Sequence, residues 1–344
     1  MAASRWATPS AVTLTDVAGG DGHSAQDVIP IVLCIDAEPD ARIVESTAPP
    51  WRGLPLTFER LERERTRLER VSDRPVHLNW FVRMDPQVAA VHGSASWAVE
   101  QHRALFSRAV RAGDAVGLHT HSWRWDPALT AWVSDFSDPA WIDECLDLSF
   151  TAFEQAMGRR CTVFRFGDRW MDDRTMGQLE ARGVEVDLTL EPGFDAVSFY
   201  GSGEIARGVL PDYRPVPTVP FVPALRDYRL AGAPGERRLR ELPITTATVQ
   251  PNRAHRLYSR WVSGKPVSSR STALLSLSSS VFTRVIDEAL RRPRPHLVLT
   301  LRTGAAAVPR HAARIEANLA ILRTRPEASR FAWVTPEEAL ARLV

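Results

Sequence analysis

Two histidines two positions apart, His119 and His121 in Gly117-Leu-His-Thr-His-Ser-Trp123, carry most of the chemical content of this sequence, together with two carboxylates at the same spacing, Asp36 and Glu38 in Ile35-Asp-Ala-Glu38. In an extended chain, residues two apart face the same side, so each pair can converge on one point. Two imidazoles with one or two carboxylates are the ligand set of a catalytic zinc ion or a related divalent metal. An open position on such an ion holds a water and lowers its pKa toward about 7. A carboxylate left outside the ligand set could then take the water's proton. A His-x-His alone is weak, since most such pairs are hydrogen-bonded loop residues. The joint occurrence with Asp-x-Glu gives it weight.

Such residues need rigid elements to bring them together. Ile31-Val-Leu-Cys-Ile35 is a continuous apolar run, as in a strand buried on both faces. Leu54 to Arg70 has helical spacing among many charges. Val76 to Val82 reads as a second strand, Ser96 to Arg111 as a helix and Ala115 to Leu118 as a third strand. Pro139 to Met157 is a helix with proline at its start. Cys161 to Phe164 is a strand, Asp173 to Arg182 a helix stopped by Gly183, and Val184 to Leu190 a strand. The pattern returns with a helix over Val281 to Arg291, a strand over His296 to Leu301, a helix over Pro309 to Arg323 and the strand Phe331 to Val334. Thr335-Pro-Glu-Glu338 resembles a capping box opening the last helix. Alternating strands and helices predict an α/β protein with a parallel sheet or barrel. No Gly-x-Gly-x-x-Gly or phosphate loop follows any strand, which argues against a nucleotide fold.

In such a sheet the functional residues gather where strands end and loops begin. Those ends read Asp36-Ala-Glu38, Arg83-Met-Asp85, His119-Thr-His121, Arg165-Phe-Gly-Asp168 and Arg302. The arginines could hold a carboxylate ionised or bind an anionic substrate. Trp80, Trp123, Trp125 and Trp170 fall near the same edge, where aromatic faces suit sugar rings, although tryptophans near loops more often pack.

The 344 residues suit one large domain or two ordinary ones, and 44% hydrophobic and 24% charged residues are those of a globular chain. A net charge of +2 gives no field directed at nucleic acid or membrane. No stretch approaches the roughly 20 apolar residues of a membrane span. The start lacks the pattern of a secretory signal, and Cys34, Cys145 and Cys161 suit neither a disulfide framework nor a Cys-x-x-Cys zinc site. A reduced, cytoplasmic protein is the expectation. Residues 1–27 read as a flexible lead-in and 28–344 as one domain, with a long irregular insertion at about 201–295 that could serve as a substrate lid or a subunit contact.

IVLCIDAEPD, LNWFVRMD, AVGLHTHSWRW and VFRFGDRWMDDRTMGQLEARGVEVDLTL, in this order, resemble the polysaccharide deacetylase family (the NodB-homology domain, carbohydrate esterase family 4), as a divergent member. The resemblance implies an irregular (β/α)7-type barrel with helices outside. It implies removal of an acyl group from an N-acylated sugar or small amide by a divalent metal held by one carboxylate and two histidines. On that reading Asp36 is the base, steadied by Arg165. Glu38, His119 and His121 hold the metal, with zinc the first choice and cobalt or nickel alternatives. Trp80, Arg83, Asp85, Trp123, Asp168, Trp170 and Arg302 are substrate or supporting candidates.

The sequence departs from the family at three places. Ala37 stands where a second aspartate usually follows, so Glu38 must supply the ligand. Trp123 stands where the second metal histidine is expected, so His121 must serve. Arg302 stands at about the place of a late-strand acid histidine, and His255 or His311 would have to come from a loop to replace it. The alternative reading is therefore an inactive relative that binds carbohydrate or a biosynthetic partner.

Overall fold

The computed structural model describes residues 28–41, 50–197, 206–249 and 269–343. In chain order the elements are β1 (Ile29–Ala37), α1 (Gly53–Ser72), β2 (Asn79–Arg83), α2 (Pro86–His92), α3 (Trp97–Gln101), α4 (Arg103–Arg111), β3 (Ala115–Thr120), β4 (Trp123–Asp126), β5 (Ala131–Asp135), α5 (Pro139–Met157), β6 (Val163–Phe166), α6 (Asp173–Ala181) and β7 (Val186–Asp187). They continue with β8 (Ala206–Arg207), β9 (Arg240–Glu241), β10 (Thr246–Val249), β11 (Ser269–Thr272), α7 (Ser279–Leu290), β12 (Leu297–Arg302), α8 (Pro309–Thr324), β13 (Phe331–Trp333) and α9 (Pro336–Leu343).

The main sheet runs β12-β1-β2-β3-β6-β7-β9, with every neighbouring pair parallel. β13 pairs the first residues of β1, and β2 pairs the last ones. The sheet curls, and backbone bonds strap its open side. Ile244 N–H donates to Leu190 O at 2.9 Å, Thr245 N–H to Val298 O at 3.0 Å and Leu275 N–H to Thr300 O at 3.0 Å. The result is an irregular α/β barrel of the (β/α)7 kind, with helices outside. Two small sheets sit beside it, β4-β5-β8 and the β10-β11 hairpin.

Curling explains the apolar runs, because each strand is covered on both faces. Alternate residues of β1 go to different cores. Ile31, Leu33 and Ile35 pack outward with Leu54 and Phe58 of α1 and Phe106 of α4. Val32 and Cys34 pack inward with Phe81, Val163, Leu188 and Val298. Ala339 and Leu340 of α9 belong to this inner cluster. The inner space is tight: a Cβ on Gly117 would lie 2.5 Å from Val163 O and 3.0 Å from the Phe81 ring. Continuing the alternation past the apolar part leaves Asp36, Arg83, His119, Arg165 and Arg302 on the inner face at the strands' C-terminal ends.

Local signals place most boundaries. Asp138 accepts from the Ala140 and Trp141 N–H groups and opens α5 at Pro139. Thr335 and Glu338 form a reciprocal capping box, Thr335 N–H to Glu338 Oε2 at 2.9 Å and Glu338 N–H to Thr335 Oγ1 at 3.3 Å. The expected helix Ser96 to Arg111 is instead α3 and α4, parted at His102. α2 and the β4–β5 hairpin were not expected. Parts of the 201–295 stretch join the barrel: β9 extends the main sheet and α7 packs outside it. Two-residue ladders such as β7 and β9 are too short to show periodicity. Residues 1–27 lie outside the described residues, as do 201–205 and 250–268 of that stretch. Among the described residues, no helix is long and apolar enough to cross a membrane.

Asp187 and Glu241 face each other across β7 and β9, both fully buried. Thr189 Oγ1 donates to Asp187 at 2.7 Å and Leu190 N–H donates to Glu241 at 3.1 Å. Burial pushes the Glu241 carboxyl well above its usual range, with Asp187 adding to the rise, and burial also raises Asp187. Two such groups fold as a pair that retains a proton. A carboxyl raised on folding contributes stability at low pH that is lost as pH climbs from the unfolded value through the folded one. Urea unfolding should therefore show stability falling as pH rises above the ordinary glutamate value of about 4.3, and Glu241→Gln should flatten that fall. A wild-type profile already flat above that pH would contradict the shared proton.

Candidate functional site

The strand ends bring five of the expected residues into one cavity of about 260 Å³: Asp36, Glu38, His119, His121 and Arg165, with Asp168 and Arg302 also in its lining. β1 and β12 set Asp36 beside Arg302 in register, and β3 and β6 set His119 beside Arg165. Every one of these residues except Arg302 is more than nine-tenths buried.

Hydrogen bonding decides what the imidazoles can do. His119 Nδ1 lies 2.9 Å from the Arg165 carbonyl oxygen. A carbonyl only accepts, so Nδ1 carries the proton and Nε2 presents a lone pair. His121 Nδ1 lies 3.1 Å from Asp168 Oδ2, with the same consequence. Trp123 Nε1 lies 3.1 Å from the same Nδ1 and could donate only to the other tautomer; the carboxylate is the stronger partner. Two bare Nε2 atoms then face one another at 3.0 Å. Burial lowers the pKa of His119, and burial with the Arg83 charge lowers that of His121 well below the usual range, so both rings are neutral.

Glu38 completes the set. Its Oε2 lies 3.6 Å from His121 Nε2, is buried and has no hydrogen-bond partner. Its Oε1 accepts from Arg302 Nε. Burial alone would push this carboxyl up. Arg302, joined by His121 and His119, outweighs burial and holds it well below the usual carboxylate range. Thr303 fixes the backbone, accepting from Glu38 N–H at 3.1 Å, with its hydroxyl 2.9 Å from Glu38 O. The ligand atoms of Glu38, His119 and His121 all lie within 4.8 Å of one another. Two neutral nitrogens and an ionised oxygen, converging without a proton between them, fit a divalent cation. Asp36 stands apart from this trio: Arg165 Nε donates to its Oδ1 at 3.0 Å and Arg165 NH1 to Leu188 O at 2.7 Å.

The supporting shell includes residues that sequence reasoning missed. A Cβ on Gly167 would lie 2.3 Å from His121 Nδ1, so only glycine lets the ring sit there. Asp168 and Arg169 adopt φ of 55° and 50°, a left-handed backbone that costs about 1–3 kcal/mol per residue. That turn carries Asp168 to His121, where Ser134 Oγ also donates to it at 3.1 Å. Arg169, Glu191, Phe194, Thr272, Leu274 and Thr300 complete the lining. Glu191 had a signal, as a polar residue just past a strand; Phe194 and Leu274 had none.

Other expected substrate residues lie elsewhere. Trp80 faces outward, stacked 3.7 Å from Phe58 and donating to Asp114 at 3.0 Å. Trp170 stacks on Phe136 at 5.5 Å in the outer core. Trp123 is buried against His121. Arg83 and Asp85 pair at 2.5 Å with no exposure, Arg83 NH1 standing 3.9 Å from Glu38 Oε2. None of these five lines the cavity, because alternation or depth turns them away. His311 is partly buried on α8 and does not line it, and His255 lies outside the described residues. Among the described residues, His119 and His121 are the cavity's only imidazoles.

No protein family model matches the chain, and no curated protein matches it. Solved structures do. A Parabacteroides distasonis protein assigned as a glycoside hydrolase/deacetylase aligns over 93% of this chain and 72% of its own, with TM-score 0.55 and 13% identity. A Mycobacterium smegmatis protein assigned as a polysaccharide deacetylase aligns over 96% and 95%, with TM-score 0.47 and 14% identity. Puue allantoinase aligns over 93% and 91%, with TM-score 0.48 and 11% identity. The first of these shows a shared fold: this chain is built on a barrel that also carries a deacetylase-type protein.

Two variants test the site's construction. Arg302→Gln removes the charge that holds Glu38 and should weaken zinc binding about 10–100-fold in chelator competition. Gly167→Ala should cost at least about tenfold by the same assay, because its methyl displaces His121. Unchanged zinc affinity in either variant would remove that residue from the account.

Proposed function

We propose that the protein is a metal-dependent hydrolase that removes an acyl group, acetyl in the simplest case, from an N-acylated sugar or small-molecule amide. The observation that supports this most is the convergence of Glu38, His119 and His121 beside the independently held Asp36–Arg165 pair. Glu38 Oε2 and the two Nε2 atoms would hold the ion, zinc first and cobalt or nickel as alternatives. When bound, such an ion polarises an acyl carbonyl and acidifies a water.

The chain's own groups then divide the work. Arg165 keeps Asp36 oriented through its Nε–Oδ1 bond. Asp36 accepts the proton of the attacking water as its oxygen bonds to the acyl carbon. The same carboxyl, now protonated, hands that proton to the amide nitrogen as the C–N bond breaks. Free acid and amine leave. This double use of Asp36 follows from Arg302, which cannot donate a proton near neutral pH and lies on Glu38 where the family resemblance implies a histidine. Asp168 keeps the His121 tautomer, so its Nε2 remains a donor atom.

That missing imidazole also favours a second reading, an inactive relative that binds carbohydrate or a partner. One experiment separates them. Protein purified without chelators should hold about one divalent ion per chain, lost in the His119→Ala, His121→Ala double variant. Zinc-, cobalt- or nickel-loaded protein should release acetate from a panel of N-acetyl sugars and small N-acetyl amides, and Asp36→Asn should abolish release while retaining the ion. Metal without release supports the inactive relative. No metal in either protein removes the hydrolase.

A further inference from the structure

Three guanidinia line the cavity, and two are committed: Arg165 to Asp36 and Arg302 to Glu38. Arg169 is placed with equal care but meets its carboxylate, Glu191, only as a loose ion pair. Its backbone is held left-handed, and its carbonyl accepts from the hydroxyl of the fully buried Tyr213 at 2.6 Å. Its guanidinium lies 4.2 Å over the Phe194 ring. The nearest carboxylate oxygen, Glu191 Oε2, is 3.8 Å away, beyond hydrogen-bond distance, and already accepts from Thr272 Oγ1 at 2.9 Å. With described residues the Arg169 guanidinium makes no hydrogen bond, although its side chain is only 15% exposed.

A planar donor fork stacked on an aromatic ring is preorganised for an oxyanion, carboxylate or phosphate, taken two bonds at a time. The cavity's charge agrees. Four carboxylates and three guanidinia line it, so a divalent ion on Glu38 and the histidines leaves one positive charge to be met.

We infer that Arg169 is the docking group for an anionic substituent, so that the preferred substrate is an N-acyl compound carrying a carboxylate or phosphate. This rests on the deacylase reading and narrows its substrate class. Glu191, 3.8 Å from Arg169, and Thr272, bonded to it at 2.9 Å, form the adjoining oxygen-rich wall and face a neutral or hydroxylated part of the ligand.

The test compares N-acetylglucosamine with its 6-phosphate and with N-acetylmuramic acid, in turnover by zinc-loaded protein and in calorimetric binding. Wild type should favour an anionic compound by about tenfold or more in kcat/KM and in affinity. The phosphate and carboxylate arms decide which oxyanion fits. Arg169→Gln should bring anionic and neutral compounds level, and Arg169→Lys should restore part of the preference. Arg169-dependent binding without turnover would sink the deacylase reading and keep this one. Turnover without a preference would do the reverse. A preference that survives Arg169→Gln, or no stronger binding of either anion by wild type, overturns the inference.

Discussion

The alternation of side chains along strands that close on themselves is the constraint from which the rest follows. Once the sheet curls, every second residue points into a space too narrow for more than a few side chains. Val32, Cys34, Phe81, Val163, Leu188 and Val298 fill its lower part. The same alternation, two or four residues further, turns Asp36, His119, Arg165 and Arg302 into that space where it opens. The site is thus the polar continuation of an apolar core, and its rigidity comes from parallel ladders rather than from loops.

Placing charges at such depth requires partners, because desolvating an isolated ion costs several kcal/mol. The most deeply buried charges each have one. Arg165 meets Asp36, Arg302 meets Glu38 and Arg83 meets Asp85, while Asp168 accepts from His121 and Ser134. The pairing also sorts the two strand-end carboxylates. Asp36 is held by Arg165 with the shorter side chain. Glu38, two residues on, carries an extra methylene and turns one oxygen toward the imidazoles while Arg302 binds the other. A longer ligand from the later position and a His-x-His pair together reach a common point.

The same economy explains why Arg302 and an acid histidine exclude one another here. The position opposite Asp36 in register is occupied by a group that must neutralise Glu38. In the proposed hydrolysis, proton delivery then falls to the one remaining carboxyl with a guanidinium of its own, Asp36. Arg169, held by a strained turn and by Tyr213, is the cation left to meet a ligand.

Much of this was legible in the residues themselves. Continuous apolar runs such as Ile31 to Ile35 announce strands buried on both faces. Proline and capping residues mark α5 and α9 almost to the residue. His-x-His and Asp-x-Glu at strand ends announce convergence, since spacing alone puts both members of a pair on one face. What spacing cannot state is which face, or how far a chain folds back. Trp80 and Trp170 share the sequence neighbourhood of the site, yet Trp80 turns to Phe58 of α1 and Trp170 to Phe136 and Phe166, because parity relative to the core exists only once the sheet closes. Gly167, Thr303 and Phe194 act through contacts made by chain segments distant in sequence, and the Glu38–Arg302 bond spans nearly the whole chain. The sequence by itself determined the chemistry available at each strand end. Only the tertiary structure decided which of those groups meet, because closure of the barrel sets their distances.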